Sequence, residues 1–240
     1  MGELQDRVVV LAGGSGGLGS ATAQLLASEG ARLLIGHSQD EARAQALGYP
    51  ACQADIRTDS GRKTLLEAAS GIYGLVVFVG DPARGADEET MRRSVETNYL
   101  GPVLLAREAA ERMRTAGTAG AIVLLASMQA VYPFENSTAY AAAKAALIHG
   151  ARVLAKECGG RANIRVNVVA PGVTAAGMAA ASVGSGKYDR FLEGGVIPRW
   201  GRAEDVARAV RFFLEPDNYV TGQVLVVDGG LTLRRDLASA

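Results

Sequence analysis

Val8-Val9-Val10-Leu11, followed by Ala12-Gly13-Gly14-Ser15-Gly16-Gly17-Leu18-Gly19, reads as a strand, a tight turn and the opening of a helix. The unbroken apolar run is the pattern of a parallel strand covered on both faces, which needs no alternation of polar and apolar residues. The glycines then remove side chains where a backbone must come close to something, and amides at a helix N-terminus are suited to a pyrophosphate. Two spacings fit the string: Gly14, Gly16 and Gly19 as G-x-G-x-x-G, or Gly13, Gly17 and Gly19 as G-x-x-x-G-x-G. Glycine spacing alone leaves the register open, and a turn that merely packs a helix onto a strand is the plainer account of the same residues.

Working outward, the alternation recurs. Strands are expected near residues 32–35, 51–53, 75–79, 122–125, 165–169 and 224–227, with helical stretches between them, the first over about 18–29. Strands alternating with helices imply right-handed crossovers and an α/β fold: a Rossmann-type doubly wound parallel sheet of about seven strands with helices on both faces. A single domain is expected over residues 1–240, with ligands at the carboxyl ends of the strands. Residues 173–201, rich in Ala and Gly, are expected to form a substrate lid, because long weakly patterned stretches in compact domains usually serve binding.

Composition narrows the function classes. With 48% hydrophobic and 21% charged residues the chain reads as an ordinary globular protein. Lys plus Arg and Asp plus Glu both number 25, so no basic excess points to nucleic acid or an anionic membrane, and a small-molecule partner is expected. Cys52 and Cys158 stand in no disulfide-like or metal-ligand spacing, so no metal is expected. The polar start, residues 1–7, lacks a secretory pattern, and a cytoplasmic location is the expectation.

If a dinucleotide binds across the glycine turn, an acid at the end of the second strand would grip the ribose 2′-hydroxyl of NAD. That place holds Gly36-His37-Ser38. No carboxylate stands there to repel a 2′-phosphate, and His37 and Ser38 offer hydrogen-bond donors to one. NADP(H) is therefore favoured, with NAD(H) as the alternative. A solvated loop histidine is the simpler account of His37, and His149 reads as structural.

Tyr140 and Lys144 stand four apart in Tyr140-Ala141-Ala142-Ala143-Lys144, so on a helix both face one direction. A tyrosine has an ordinary pKa near ~10 and needs help from a neighbour to move protons near neutrality, which a lysine can give. Alone, such a pair is common on exposed helices. Here it belongs to an ordered set: the glycine turn, Asp55 after the third strand, Asn98 in Asn98-Tyr99-Leu100-Gly101, Ser127, Pro171-Gly172, Thr221-Gly222-Gln223 and Asp228-Gly229-Gly230. Over essentially the whole chain this set resembles the short-chain dehydrogenase/reductase family, and is similar to its 3-oxoacyl-acyl-carrier-protein reductase-like members.

The resemblance implies an NAD(P)-dependent oxidoreductase interconverting a ketone or aldehyde and an alcohol by hydride transfer, with NADPH-dependent carbonyl reduction favoured. It implies that Tyr140 moves the proton, Lys144 binds the nicotinamide ribose and lowers the tyrosine pKa, Ser127 orients the carbonyl, and Asn98 supports a proton-relay water. It implies further that Gly13, Ser15, Gly17, Leu18 and Gly19 line the phosphates, that Asp55 and Ile56 line the adenine, and that Gly80 admits the cofactor closely. Pro171, Gly172, Val173 and Thr174 would lie on the nicotinamide side. The sequence departs from the family's pattern at Ala12, at Val77-Phe78-Val79-Gly80, where asparagines are usual, and at Ala176, where a threonine is common.

The alternative reading is a catalytically silent, dinucleotide-bound regulatory or scaffolding protein, for which the altered 77–80 segment is the only support. An epimerase or dehydratase using the same pair would normally carry an extra substrate domain. Substrate contacts are expected from residues 128–135 and 81–84, and from Met178, Tyr188, Phe191 and Trp200 in the lid. The resemblance and the small residues of 140–151 imply a homotetramer, with a dimer as runner-up.

Overall fold

The computed structural model describes residues 3–234 of the chain. β1 (Val8–Ala12) lies inside the sheet with a strand on either side, and its last four side chains are buried. Val9 and Leu11 enter the core on one face of the sheet, and Val10 and Ala12 the core on the other, as the period of two requires. With it run β2 (Arg32–His37), β3 (Ala51–Gln53), β4 (Ile72–Val77), β5 (Gly120–Leu125), β6 (Ile164–Pro171) and β7 (Val224–Val227). All pairings are parallel, in the order β3-β2-β1-β4-β5-β6-β7. The direction of winding reverses between β1 and β4, which opens a crevice at the carboxyl ends of those two strands.

The helices are α1 (Gly17–Ser28), α2 (Glu41–Gln45), α3 (Asp59–Glu67), α4 (Glu88–Val95), α5 (Gly101–Thr115), α6 (Thr138–Cys158), α7 (Ala180–Gly184), α8 (Arg190–Glu193), α9 (Ala203–Leu214) and α10 (Leu231–Arg234). Leu26 of α1, Ala44 of α2 and Phe213 of α9 cover one face of the sheet. Leu65 of α3, Met113 of α5 and Leu147 of α6 cover the other. Each of the larger side chains contributes about 1.5–3 kcal/mol on burial, so the two cores fix the strand ends on which the candidate site stands. Among the described residues no helix is long and apolar enough to cross a membrane.

Seven parallel strands match the expectation, with shifted boundaries. β2 runs through His37 instead of stopping at 35, and β6 runs through Pro171. β4 begins and ends earlier than 75–79. Its Gly74 lets β1 approach so closely that a Cβ there would lie 3.1 Å from Val9, and the register shifts beside it. Phe78 and Val79 prolong the apolar run because each packs against one of the two cores, and Phe78 N still donates to Ala12 O at 2.8 Å.

Residues 173–201 hold a 3-10 turn (Gly177–Ala179), α7 and α8. Their apolar side chains Val173, Phe191, Val196 and Ile197 form a small core of their own with Met128 and Leu231. The two ends of the stretch are joined, Ala175 N donating to Gly201 O at 2.8 Å and Gly201 N to Val173 O at 3.0 Å.

Candidate active site

The glycine turn is the first wall of the crevice, and its geometry selects one of the two spacings. Gly13 has φ +76°, and a Cβ on it would lie 3.1 Å from Val79. A Cβ on Gly17 would lie 2.7 Å from the backbone nitrogen of Gly177, and one on Gly19 2.6 Å from Gly14. At Gly16 a Cβ would meet only the Gly13 carbonyl, at 3.4 Å. The backbone therefore demands Gly13, Gly17 and Gly19, and Gly14 packs tightly as well. Gly16 is the N-cap of α1 and supplies no side-chain acceptor, so the first-turn amides stay available to an anion. Ser15 is buried in the turn, and Leu18 reaches the neighbouring cavity.

At the far end of the crevice the simpler account of His37, a solvated loop histidine, does not hold. As the last residue of β2 it is buried, not a loop histidine, and its Nδ1 has no partner among the described residues. Ser38, just beyond the strand, is exposed and is the better placed of the two to meet a phosphate. Asp55 faces Arg57, whose guanidinium donates to it at 2.6–3.1 Å and holds its carboxyl below the ordinary value. Ile56 is buried, its carbonyl accepting from Arg62 at 3.2 Å.

Ser127, Tyr140 and Lys144 meet at one cavity. Ser127 stands two residues past β5 in extended backbone and caps the turn Met128–Ala130, accepting from Gln129 N at 3.2 Å. Tyr140 lies in the first turn of α6, and Lys144 one turn later. Lys144 is 2% exposed and has no carboxylate beside it among the described residues. Its Nζ donates to the Leu125 carbonyl at 2.8 Å and the Val79 carbonyl at 3.4 Å, and burial brings its pKa from 10.5 to about 7. Burial likewise pushes the Tyr140 phenol above its ordinary value, with the Ser127 hydroxyl pulling it back.

The expected lowering of the Tyr140 pKa by Lys144 is thus not seen. The lysine is itself desolvated, so it is a weakened cation at neutral pH. The altered 77–80 segment is accommodated: Val79 packs on Gly13 and its carbonyl serves Lys144, and Gly80 leaves room that a Cβ would fill 3.4 Å from Nζ.

Asn98 does something other than face the cavity. It lies fully buried in a π turn (Glu96–Leu100) between α4 and α5. Its Oδ1 accepts from Asp81 N at 3.0 Å, and its Nδ2 donates to Asp81 O at 2.9 Å and Ser94 Oγ at 3.0 Å. The side chain clamps the loop after β4, using three of its four hydrogen-bonding positions. Sequence reading missed Ser94, which no local signal marks.

The cavity, about 670 Å³, is in the range of small-molecule sites. Pro171, Gly172, Val173 and Thr174 line it, with the Thr174 hydroxyl donating to Gly172 O at 3.2 Å. Gly172 is required by close packing, since a Cβ there would lie 2.6 Å from that of Asp228. Of the expected substrate contacts, Met128, Phe134, Glu135, Pro82, Arg84, Met178, Tyr188 and Phe191 reach it. Trp200 packs instead against the lid's core, edge-on to Tyr188, and Asp81 is held by Arg93 at 2.8 Å.

Comparison with known proteins agrees with this arrangement. Residues 12–232 match the family described as enoyl-(acyl carrier protein) reductase. A 3-oxoacyl-[acyl-carrier-protein] reductase of Rattus norvegicus is 36% identical over 95% of the chain and 99% of its own length. Carbonyl reductase family member 4 of Danio rerio is 34% identical over the same shares. A short-chain type dehydrogenase/reductase from Mycobacterium ulcerans superposes with a TM-score of 0.88 at 28% identity, over 96% of this chain and 91% of that one.

Proposed function

The chain belongs to the short-chain dehydrogenase/reductase family, and from that premise we propose that this oxidoreductase reduces a ketone or aldehyde with NADPH, Tyr140 giving the proton. The observation that carries the reading is the meeting of Ser127, Tyr140 and Lys144 at one cavity beside the glycine turn. The residues fit a dinucleotide: the glycine turn carries no side chain that would hold a phosphate off, the α1 N-terminus has no side-chain cap, and His37 keeps a buried nitrogen with no partner among the described residues. Gly13, Ser15, Gly17, Leu18 and Gly19 would hold its phosphates, His37 and Ser38 its adenosine ribose, Asp55 and Ile56 its adenine, and Gly80 with 171–174 its nicotinamide. When bound, the nicotinamide supplies the hydride.

The chain's own part is orientation and a proton. A phenol raised by burial keeps its proton at neutral pH, which suits a donor to the oxygen of a carbonyl undergoing reduction. The Ser127 hydroxyl donates to the same oxygen and orients it. An ammonium has three N–H groups. With two of Lys144's committed to Leu125 and Val79, the third is left for a ribose hydroxyl.

Two finer points belong to this reading. The missing carboxylate after β2 and the exposed Ser38 favour NADP(H) over NAD(H). The rim carries Arg84, Lys187 and Arg190 against Glu135, which with the acyl-carrier names of the relatives favours a 3-oxoacyl group on an anionic thioester carrier, under a lid formed by 173–201. A homotetramer, with a dimer as the alternative, and a cytoplasmic location complete it; Met91 and Val95 of α4, Leu100 of the π turn and Val153 of α6 are apolar and exposed.

The test is oxidation of NADPH and NADH by the purified protein with a 3-oxoacyl thioester of coenzyme A, a cyclic ketone and a quinone. Faster turnover with NADPH and the thioester is expected, and Ser38→Asp should shift preference toward NADH by repelling the 2′-phosphate. Binding of both cofactors with turnover of no carbonyl would contradict the reading.

A further inference from the structure

Ser94 is a fully buried polar residue on α4 that the chemistry above does not use. Its hydroxyl accepts from Asn98 Nδ2 at 3.0 Å and donates to the carbonyl of Ala139 at 2.8 Å. Ala139 precedes Tyr140 in the first turn of α6, where its carbonyl already takes an i+4 amide by helix geometry; Ser94 holds the second lone pair. On the other side Asn98 grips both backbone groups of Asp81, and the Asp81 carboxylate accepts from Arg93 Nε at 2.8 Å and Ala83 N at 2.9 Å. The bonds form one line: Arg93 to Asp81, Asp81 with Asn98, Asn98 to Ser94, Ser94 to the residue beside Tyr140.

We propose that Ser94 is a positioning residue that ties the loop after β4 to the first turn of α6 and so fixes Tyr140 relative to the cofactor wall. The inference rests on the reading of Tyr140 as proton donor. α4 joins α6 through this hydroxyl, at the carbonyl of the peptide that leads into Tyr140. The same loop carries Val79 and Gly80, whose carbonyl and open side bound Lys144. One hydroxyl therefore registers the proton donor against the group that holds the ribose. A misplacement of about 1 Å at a reacting group can cost on the order of 10²-fold, so an apolar residue at this place is not equivalent.

The experiment compares Ser94→Ala, Ser94→Thr, Arg93→Met and Tyr140→Phe in the whole protein, measuring kcat, substrate KM and NADPH Kd. Ser94→Ala should lose roughly tenfold to a hundredfold in kcat with NADPH Kd unchanged, and Ser94→Thr, which keeps the hydroxyl, should recover most of it. Arg93→Met breaks the line at its outer end, where the side chain is 42% exposed and folding is not at risk. It should lower kcat in the same direction by less, and it decides the matter if Ser94→Ala does not fold. Unchanged kcat in both Ser94→Ala and Arg93→Met, beside lost turnover in Tyr140→Phe, would overturn the role of Ser94 alone. Retained turnover in Tyr140→Phe would overturn the reading on which it rests.

Discussion

The wall made by β4, β5 and α6 and the stretch 173–201 face each other across the cavity and are built in opposite ways. In the wall, each chemical side chain is held by named partners inside the main core: Lys144 by two strand-end carbonyls, Ser127 by a turn, Asn98 by three hydrogen bonds. The stretch opposite has short helices, a small core of its own, and ends closed on each other. Proton placement tolerates little displacement, so it stands on strands and a long helix. Shape selection can change without disturbing the sheet, so it stands on a separately packed segment.

The largest effect on turnover that would sharpen this contrast is at Lys144. Its folded pKa is depressed, from 10.5 to about 7, so between those values the unfolded chain holds a proton that the folded chain does not. Stability from this group therefore rises with pH across that window, and below it the full penalty of a buried cation is present. Lys144→Met should abolish turnover and yet raise stability at about pH 6 by roughly 1–4 kcal/mol, with the gain fading toward the lysine's ordinary pKa. Thermal melts of both proteins across that range check the sign.

A matched pair of truncations comes next. Phe213 and Phe191 are both 2% exposed, but the first lies in the main core and the second in the lid's. Phe213→Ala should cost about 3–5 kcal/mol of global stability. Phe191→Ala should leave Tm nearly unchanged and raise substrate KM. Equal losses of Tm would erase the contrast.

The smallest effect is at Asp205, in the first turn of α9. It accepts from Arg199 at 2.6 Å and from Arg202 N at 2.8 Å, pairs with Arg208, and so staples the end of the lid to that helix. These hydrogen bonds, Arg199's first, hold its carboxyl far below the usual carboxylate range. Its contribution is present above the ordinary carboxylate pKa and is lost only as pH falls toward the depressed one. Because the arginines are largely in solvent, Asp205→Asn should cost only about 1 kcal/mol. Proteolysis of 173–201 should rise at neutral pH, an effect the wild type shows only in strong acid.

Much of the wall was legible beforehand. Continuous apolar strands, the glycine turn and Tyr140-Ala-Ala-Ala-Lys144 are local patterns, and local patterns fixed strand number, order of elements and the face the pair shares. What was not legible depends on tertiary contact. The second strand was expected over 32–35, which left His37 beyond it, yet pairing with β3 carries the strand through it. Lys144 looked like an ordinary cation, since nothing in the spacing reveals that it is buried against two backbone carbonyls. Ser94 lies in a polar stretch, Arg92-Arg93-Ser94, and only the packing of α4 on α6 buries it.

The central claim is that a tyrosine held on the rigid wall gives the proton. Its most direct test is single-turnover reduction by wild type and Tyr140→Phe, each saturated with NADPH and the best carbonyl found. The account predicts equal NADPH binding and a loss of roughly 10²–10⁴-fold in rate for the variant. A variant that reduces the carbonyl as fast as wild type would contradict it.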